Sequence, residues 1–224
     1  MNGVKAKDSP FRPYWWGVDL AQAGVDAQSK VGTYGRYEFA DLPPVPFELR
    51  GDLDWLARQP AHAEWAINGN ARTRLLELAA ASRRAAVPLP PAFTQFMVSG
   101  TLQERVRSHT AGLLDLAGAP VPSPKGGGHL VRFLSDRQDG LYWYLHVIDG
   151  GADHAVVCSP DFYGPEGHGT QLADPEDICF CAESFEAFLC RFWLENEIWF
   201  AVTDGTPMPA VGVEYIKRYR SSAD

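Results

Sequence analysis

Three residues of one predicted β-hairpin, His146, Asp149 and Cys158, have the side chains most suited to catalysis. A cysteine nucleophile needs a base within hydrogen-bonding distance and a lowered thiol pKa. The predicted hairpin places His146 far from Cys158, and the apolar run at residues 155–157 favours a raised thiol pKa. The pattern therefore predicts structural roles for these residues and a protein that is not an enzyme.

Four cysteines and one glycine run are the candidate metal and phosphate sites. Cys179 and Cys181 form a C-x-C pair, whereas structural zinc sites commonly use C-x₂₋₄-C pairs among four ligands. Residues two apart on a strand share a face and are badly placed to form a disulfide. Residues 125–128, Lys-Gly-Gly-Gly, lack the order of a P-loop and predict a loop. We expect buried, reduced thiols, also at Cys158 and Cys190, with no metal and no cofactor.

An acidic stretch at residues 174–197 is the main candidate for a binding surface. It contains seven acids and one base, Arg191, so it carries −6 of the formal net charge of −8. This balance disfavours nucleic acid as a direct ligand, because phosphate neutralisation needs a basic surface. Two interpretations stay open. The stretch is either a solvated helix face or a docking surface for a basic protein partner, with which complementary charge speeds encounter.

Aromatic residues in the loop before this stretch extend the candidate surface, because aromatic side chains often anchor interfaces. The candidate partner-binding residues are Phe162, Tyr163, Asp174, Glu176, Asp177, Glu183 and Glu186. The alternative hypothesis is a small-molecule or peptide-binding module. Its groove would lie between the sheet and an N-terminal arm and be lined by Trp15, Trp16 and Trp143.

Composition narrows the setting of the protein. Apolar residues make up 46% of the chain, enough for a substantial core, yet no apolar run approaches the roughly 20 residues that cross a bilayer. Residues 1–8 lack the apolar core of a secretory signal peptide. We therefore expect a cytoplasmic protein that does not bind membranes.

The first half of the chain predicts mainly helices after an irregular start. Residues 1–69 are divided by Gly and Pro and predict an N-terminal extension packed on a main domain at residues 70–224. Helices are predicted at residues 52–58 and 70–84, with Asn70 as the N-cap of the second. Early prolines favour a further helix from residue 89, with Gly100 as its C′ glycine.

The second half predicts a sheet and a long helix. Alternating residues indicate strands at 129–135, 141–148 and 154–159, and the second is apolar or aromatic on both faces, which suits the middle of a sheet. A strand at 178–182 precedes a helix at 185–200, with Ser184 as its N-cap and Glu186 exposed in its first turn. The helix has one apolar stripe, Phe185, Phe188, Leu189, Phe192, Asn196 and Trp199.

Residues 101–118 allow two predictions. Thr101 and Glu104 have the spacing of a capping box, which favours a helix. Residues 105–110 alternate loosely in polarity, which favours a strand.

Three short motifs, in this order, resemble a known family. Residues 89–97, LPPAFTQFM, are similar to the opening LPxxYxxFL of the SUKH superfamily, which includes fungal Smi/Knr regulators and many bacterial immunity proteins. The strands around residues 133–136 and 142–145 follow, and residues 182–189, AESFEAFL, are similar to the family's closing A-x-SFxxFL helix. The likeness covers about residues 86–200 and favours a strand at 105–117.

The resemblance implies an α+β domain with a mostly antiparallel sheet flanked by helices, preceded here by an N-terminal extension. It also implies that the domain has no catalytic residues. Bacterial members commonly bind and silence a toxin domain, often a nuclease with a basic active face. An acidic protein suits that role, so we expect a protein-binding domain that acts as an immunity protein.

Overall fold

The computed structural model describes residues 4–222 except 139, 149–152, 166 and 169–172. The strands are β1 (Arg12–Val18), β2 (Ser29–Val31), β3 (Tyr34–Glu38), β4 (Gly112–Leu114), β5 (Val121–Pro122), β6 (His129–Asp136), β7 (Tyr142–Val147), β8 (His154–Ser159), β9 (Tyr163–Gly164), β10 (Gly167–His168) and β11 (Cys179–Ala182). The helices are α1 (Asp54–Ala57), α2 (Ala71–Arg84), α3 (Pro91–Val98), α4 (Gly100–Gln103), α5 (Phe185–Thr203) and α6 (Ala210–Ser222). None of these helices combines the length and apolar character needed to cross a bilayer.

Of the strands in the described residues, nine form one sheet, in the order β2-β3-β1-β11-β8-β7-β6-β4, with β5 also paired to β6. Its pairs are antiparallel except β1 with β11, where Arg12 and Pro13 lie beside Cys179 and Phe180. The short strands β9 and β10 form a separate pair. The fold is therefore α+β, with a mixed, mostly antiparallel sheet flanked by helices, as the sequence predicts.

The N-terminal residues are part of this sheet. Strands β2, β3 and β1 form an antiparallel ribbon, which continues into the rest of the sheet through the parallel contact of β1 with β11. The Tyr37 hydroxyl fixes the exit of β1, since it donates to Val18 O at 3.0 Å and accepts from Leu20 N at 3.1 Å. Residues before and after position 69 thus share one sheet and one apolar core.

Strand β7 lies between β6 and β8 and is buried on both faces. Trp143 and Leu145 belong to the larger apolar core, which also contains α5, whereas Tyr142 and Tyr144 pack in a smaller core on the opposite face. The predicted central strand and its alternation are confirmed.

Helix α5 is buried around nearly its whole circumference, and the prediction of one apolar stripe is incomplete. Phe188 packs edge-on against Trp15 of β1, with ring centroids 5.8 Å apart. Trp193 contacts Trp55 of α1, at 5.7 Å between ring centroids. Segments from both sides of the predicted boundary cover the polar side of this helix, Trp15 and Trp55 from residues 1–69 and Arg107 and Tyr215 from residues 70–224, so its charged residues become internal.

Two predicted helix ends differ in detail. Asn70 precedes α2 but makes no side-chain cap, because its amide bonds the backbone of Leu116, accepting from N at 2.6 Å and donating to O at 3.4 Å. Gly100 follows Ser99, the C-cap of α3, as predicted, but it does not adopt the positive φ of a C′ glycine. It begins α4, whose N-cap is Ser99, with Oγ accepting from Leu102 N at 3.3 Å.

Both predictions for residues 101–118 are partly met. Helix α4 occupies the start of the region, and β4 pairs with the end of β6. An isolated antiparallel bridge joins Arg107 to Ala66 between them.

Candidate binding site

A cavity of about 220 Å³ lies between β1 and β3 on one side and the ends of β7, β8 and β11 on the other. A larger depression, about 510 Å³, lies between residues 44–46 and α6. Its charged residues, Glu214 and Arg218, already pair with each other at 2.9 Å. The first cavity offers richer chemistry, because arginines, aromatic rings and carboxylates all line it.

Strand alternation gives the cavity its first wall. Residues i, i+2 and i+4 of a strand lie on one face, so Arg12, Tyr14 and Trp16 of β1 line the cavity together. Trp15, between them, points the other way and is fully buried against α5. The side chain of Trp16 remains half-buried beside the cavity.

A second arginine comes from the neighbouring strand. Arg36 of β3 pairs in register with Trp16, which places both side chains on the same face. The Arg36 guanidinium carbon lies 4.8 Å from the Tyr14 ring centroid, a cation–π contact. Its Nε is buried, and the side chain makes no hydrogen bond or ion pair with any residue that the structure describes. Arg36 is therefore a half-buried cation whose guanidinium has a buried, unsatisfied Nε and no ion-pair partner among the described residues.

Carboxylates of the 3-10 turn Pro175–Asp177 form part of the opposite wall. Asp174 caps this turn by accepting from Glu176 N at 2.9 Å. Glu176 is held by Lys125 Nζ at 2.6 Å and, more loosely, by Arg12 at 3.8 Å. Within the described residues the Asp177 carboxylate has no hydrogen-bond or ion-pair partner. In this wall the charge of Glu176 is neutralised, whereas the Asp177 carboxylate is available to a ligand.

Cys179, at the start of β11, also lines the cavity. Burial raises the pKa of its thiol to about 11, and the neighbouring thiol of Cys181 adds to the shift. A thiol that stays protonated at neutral pH is a poor nucleophile. Cys179 therefore offers the cavity a polarisable, uncharged surface.

The residues considered for catalysis are not brought together. Cys158 pairs with Trp143 and faces the larger core, whereas His146 lies on the opposite face of β7, with Nε2 2.9 Å from Gly127 O. Burial raises the Cys158 pKa well above its usual range. Asp149 lies outside the described residues. In the described part of the chain, no three His, Cys, Asp or Glu residues are grouped to hold a metal ion, and all four thiols are free and buried.

The predicted aromatic loop does not form an open anchor. Tyr163 is buried, and its backbone N donates to the Tyr144 hydroxyl at 3.0 Å. Phe162 is half-buried, with the Arg132 guanidinium carbon 4.2 Å from its ring centroid. The proposed contact role of Tyr163 is wrong, because its ring packs in the smaller core, and Phe162 offers only part of its ring.

Glu186 is the second correction among the predicted contact residues. Instead of being exposed, it is 3% accessible and accepts from Gly51 N at 2.5 Å, Leu53 N at 3.2 Å and Trp55 Nε1 at 3.1 Å. Burial raises its pKa, and these three donors oppose that shift. Glu186 thus holds the segment before α1 against α5. Glu183, nearer the surface, is half-buried.

Two more acids of the stretch are internal. Glu195 is fully buried and accepts from Trp15 Nε1 at 2.7 Å and from the Tyr215 hydroxyl at 2.9 Å, while Arg191 donates to the same hydroxyl at 2.6 Å. Glu197 receives two hydrogen bonds from Arg107, each at 2.9 Å. Only Asp174, Glu176 and Asp177 remain exposed as predicted.

The alternative hypothesis places a groove between the sheet and an N-terminal arm, whereas the cavity lies against N-terminal strands that are part of the sheet itself. Trp16 lines it, whereas Trp15 and Trp143 are fully buried in the core. Sequence reasoning missed Arg12, Tyr14 and Arg36. The available signal was the alternation Arg12-Pro13-Tyr14-Trp15-Trp16, which marks a strand with one polar-aromatic face.

Comparison of the chain with protein-family models, with curated proteins and with solved structures finds no match. The resemblance to the SUKH superfamily therefore rests on the sequence motifs, and function must be argued from the cavity and its surroundings.

Proposed function

We propose that this protein is a non-catalytic protein-binding domain of SUKH type whose contact surface is centred on the cavity. We name this surface the cavity face and define it by Arg12, Tyr14, Trp16, Arg36, Asp174, Glu176 and Asp177. The observation that supports the proposal is its composition. Trp, Tyr and Arg are the residues that most often dominate binding energy at protein interfaces, especially in concave, partly desolvated sites.

The partner that fits this surface is a basic protein. Asp174 and Asp177 are exposed, and neither forms an ion pair with another described residue. Complementary charges at the rim raise association rates, whereas aromatic and arginine contacts at the centre slow dissociation. The SUKH resemblance suggests a toxin domain of the nuclease type. Binding would cover its basic cleft sterically, in the cytoplasm.

The test begins with affinity capture from native lysate at low salt, followed by association kinetics with the captured protein. A variant with Asp174→Lys, Glu176→Lys and Asp177→Lys is expected to associate at least tenfold more slowly, with a flatter salt dependence. Trp16→Ala is expected to raise the dissociation rate instead.

A matched control carries Asp26→Lys, Asp41→Lys and Glu64→Lys, three exposed acids outside the cavity lining. The control has the same change in net charge, so its association rate is expected to fall only by the amount that a lower net negative charge causes. If both triple variants behave alike, the cavity face is not the contact surface.

A second candidate function is a small-molecule or peptide-binding module, favoured by the partly enclosed volume beside Trp16. Titration against metabolite and peptide panels, followed by tryptophan fluorescence, is expected to give a saturable change that Trp16→Phe reduces. A flat response in the wild type across both panels would count against this function.

A further inference from the structure

We propose that the cavity binds a small zwitterion with a planar or aromatic side chain, of the size and charge pattern of a free aromatic amino acid. This inference rests on the second function proposed above, and it assigns to a small ligand residues that the protein-binding proposal assigns to a partner. Two charged side chains of opposite sign, an aromatic wall and a limited volume support it.

Two charged side chains of opposite sign line the cavity. Arg36 and Asp177 both line the cavity, and neither has a hydrogen-bond or ion-pair partner among the described residues, including each other. Arg36 is half-buried, and a charged side chain that is partly removed from water is normally paired, whereas Asp177 is exposed at the edge of the same cavity. Two opposite charges that share a cavity without meeting leave room for a ligand that carries both complementary groups.

The chemistry of each charged side chain determines which end of the ligand it binds. A guanidinium presents a planar set of donors that matches a carboxylate in two parallel hydrogen bonds. The Tyr14 ring, 4.8 Å from the guanidinium carbon, packs against Arg36 in a cation–π contact. A ligand ammonium group then pairs with Asp177, since Glu176 is already occupied by Lys125 at 2.6 Å.

The third contact is with the aromatic and apolar wall. Trp16 and Leu141 line the same space, and the protonated Cys179 thiol adds a polarisable surface. A planar ring stacks or packs edge-on against such a wall and removes apolar area from water. This wall selects for a ligand with a ring over a purely polar zwitterion.

The volume of the cavity limits the size of the ligand that it can hold. An apolar cavity of about 150 Å³ admits benzene, so the present 220 Å³ holds a ring and several further heavy atoms. It is smaller than the roughly 300–1,000 Å³ of sites for drug-sized ligands. A single amino acid fits this range, whereas a dinucleotide cofactor does not.

The experiment is isothermal titration calorimetry with L-phenylalanine and two derivatives that each remove one charge. N-acetyl-L-phenylalanine lacks the ammonium group and L-phenylalaninamide lacks the carboxylate. We expect saturable binding of L-phenylalanine and at least tenfold weaker binding of each derivative. Glycine, a zwitterion without a ring, is expected to bind at least tenfold more weakly as well.

Protein variants locate the binding. Arg36→Gln is expected to weaken binding of L-phenylalanine at least tenfold, and the variant should then bind L-phenylalanine and its amide equally. Asp177→Asn is likewise expected to weaken binding of L-phenylalanine at least tenfold, and this variant should bind L-phenylalanine and its N-acetyl derivative equally. Arg58→Gln and Asp41→Asn, exposed and outside the cavity lining, serve as charge-matched controls with unchanged affinity. Circular dichroism confirms that each variant is folded.

Two outcomes overturn the inference. Absence of binding at millimolar L-phenylalanine does so directly, and equal affinity for L-phenylalanine and its N-acetyl derivative removes the zwitterion requirement. Because the derivative series uses the wild-type protein, it remains decisive if a variant misfolds. A fluorescence response to another compound class, without binding of L-phenylalanine, would refute this inference while leaving the ligand-binding function standing.

Discussion

The two halves of the acidic stretch are both acidic in the sequence, with four acids at residues 174–185 and three at residues 186–197, but they lie in opposite environments in the structure. Asp174, Glu176 and Asp177 lie on a 3-10 turn and face solvent. Glu195 and Glu197 lie on α5 and are buried. The difference shows that local charge density does not identify a surface. Whether a carboxylate is buried or exposed depends on whether distant segments supply hydrogen-bond donors to it.

Each buried acid of α5 has its own distant partner. The segment at residues 51–55 donates to Glu186, Trp15 and Tyr215 donate to Glu195, and Arg107 donates to Glu197. Gly17 permits the contact of β1 with Glu195, because a Cβ at position 17 would overlap Trp15 Nε1 and Glu195 Oε2. These carboxylates join the N-terminal ribbon, the loops and the C-terminal helix to α5.

The largest expected effect comes from breaking the Glu195 network. Glu195→Ala removes the acceptor of the Trp15 indole N–H and of the Tyr215 hydroxyl, and it takes a nearby carboxylate away from the buried Arg191. A buried donor left unsatisfied costs about 1–3 kcal/mol, so the loss of both acceptors together with the nearby charge is expected to cost about 3–5 kcal/mol. Urea denaturation is expected to show this loss in the free energy of unfolding. A loss of less than about 1 kcal/mol would mean that the network contributes little.

Glu186→Ala is expected to lower the free energy of unfolding by roughly 1–3 kcal/mol, because it leaves buried donors of residues 51–55 unsatisfied. Glu186→Gln keeps an acceptor oxygen and should cost less. Chemical denaturation of both variants measures the difference. Equal stability of Glu186→Ala and the wild type would contradict the structural role and favour the exposed position predicted from the sequence.

The pH dependence of stability separates two of the buried acids. Burial raises the pKa of Glu195 from 4.5 to about 7, although Arg191, Trp15 and Tyr215 act in the opposite direction. Between these values the folded protein holds a proton that the unfolded chain has released. The contribution of Glu195 to stability is therefore full below pH 4.5 and is lost as the pH rises through 7.

Glu197 contributes to stability with the opposite pH dependence. Burial favours a higher pKa, but hydrogen bonds and charges from His62 and Arg107 outweigh it and hold the pKa below 4.5. Its contribution is lost as the pH falls below that value. Glu195→Gln should flatten the slope of unfolding free energy between pH 5 and 7, by at most about 1.4 kcal/mol per pH unit. Glu197→Gln should leave that slope unchanged, and an equal change in both variants would refute the assignment.

The smallest effect is expected on the exposed half of the stretch. Asp177→Asn changes an exposed side chain without a described partner and should alter the free energy of unfolding by less than about 0.5 kcal/mol. Thermal and urea denaturation check this value. A loss above 1 kcal/mol would show that Asp177 has a structural role and is not free to bind a ligand.

Elements with a strong local signal are predicted correctly. Ser184 caps α5, with Oγ accepting from Ala187 N at 3.1 Å, and β7 has the alternation and central position that its residues indicate. Capping and strand alternation are decided within a few residues. Asn70 occupies the N-cap position of α2 as predicted, but its side chain does not cap the helix, because the backbone of Leu116, 46 positions away, competes for it.

The sequence by itself determined the α+β class, the main strands, the long helix α5 and the acidic charge of the chain, because periodicity and composition are local properties. Only the tertiary structure decided which charges face solvent and where the cavity lies. Arg36 and Asp177 are 141 positions apart in the chain and line one space because β1 pairs with both β3 and β11. Such pairing depends on long-range packing, which no local pattern encodes.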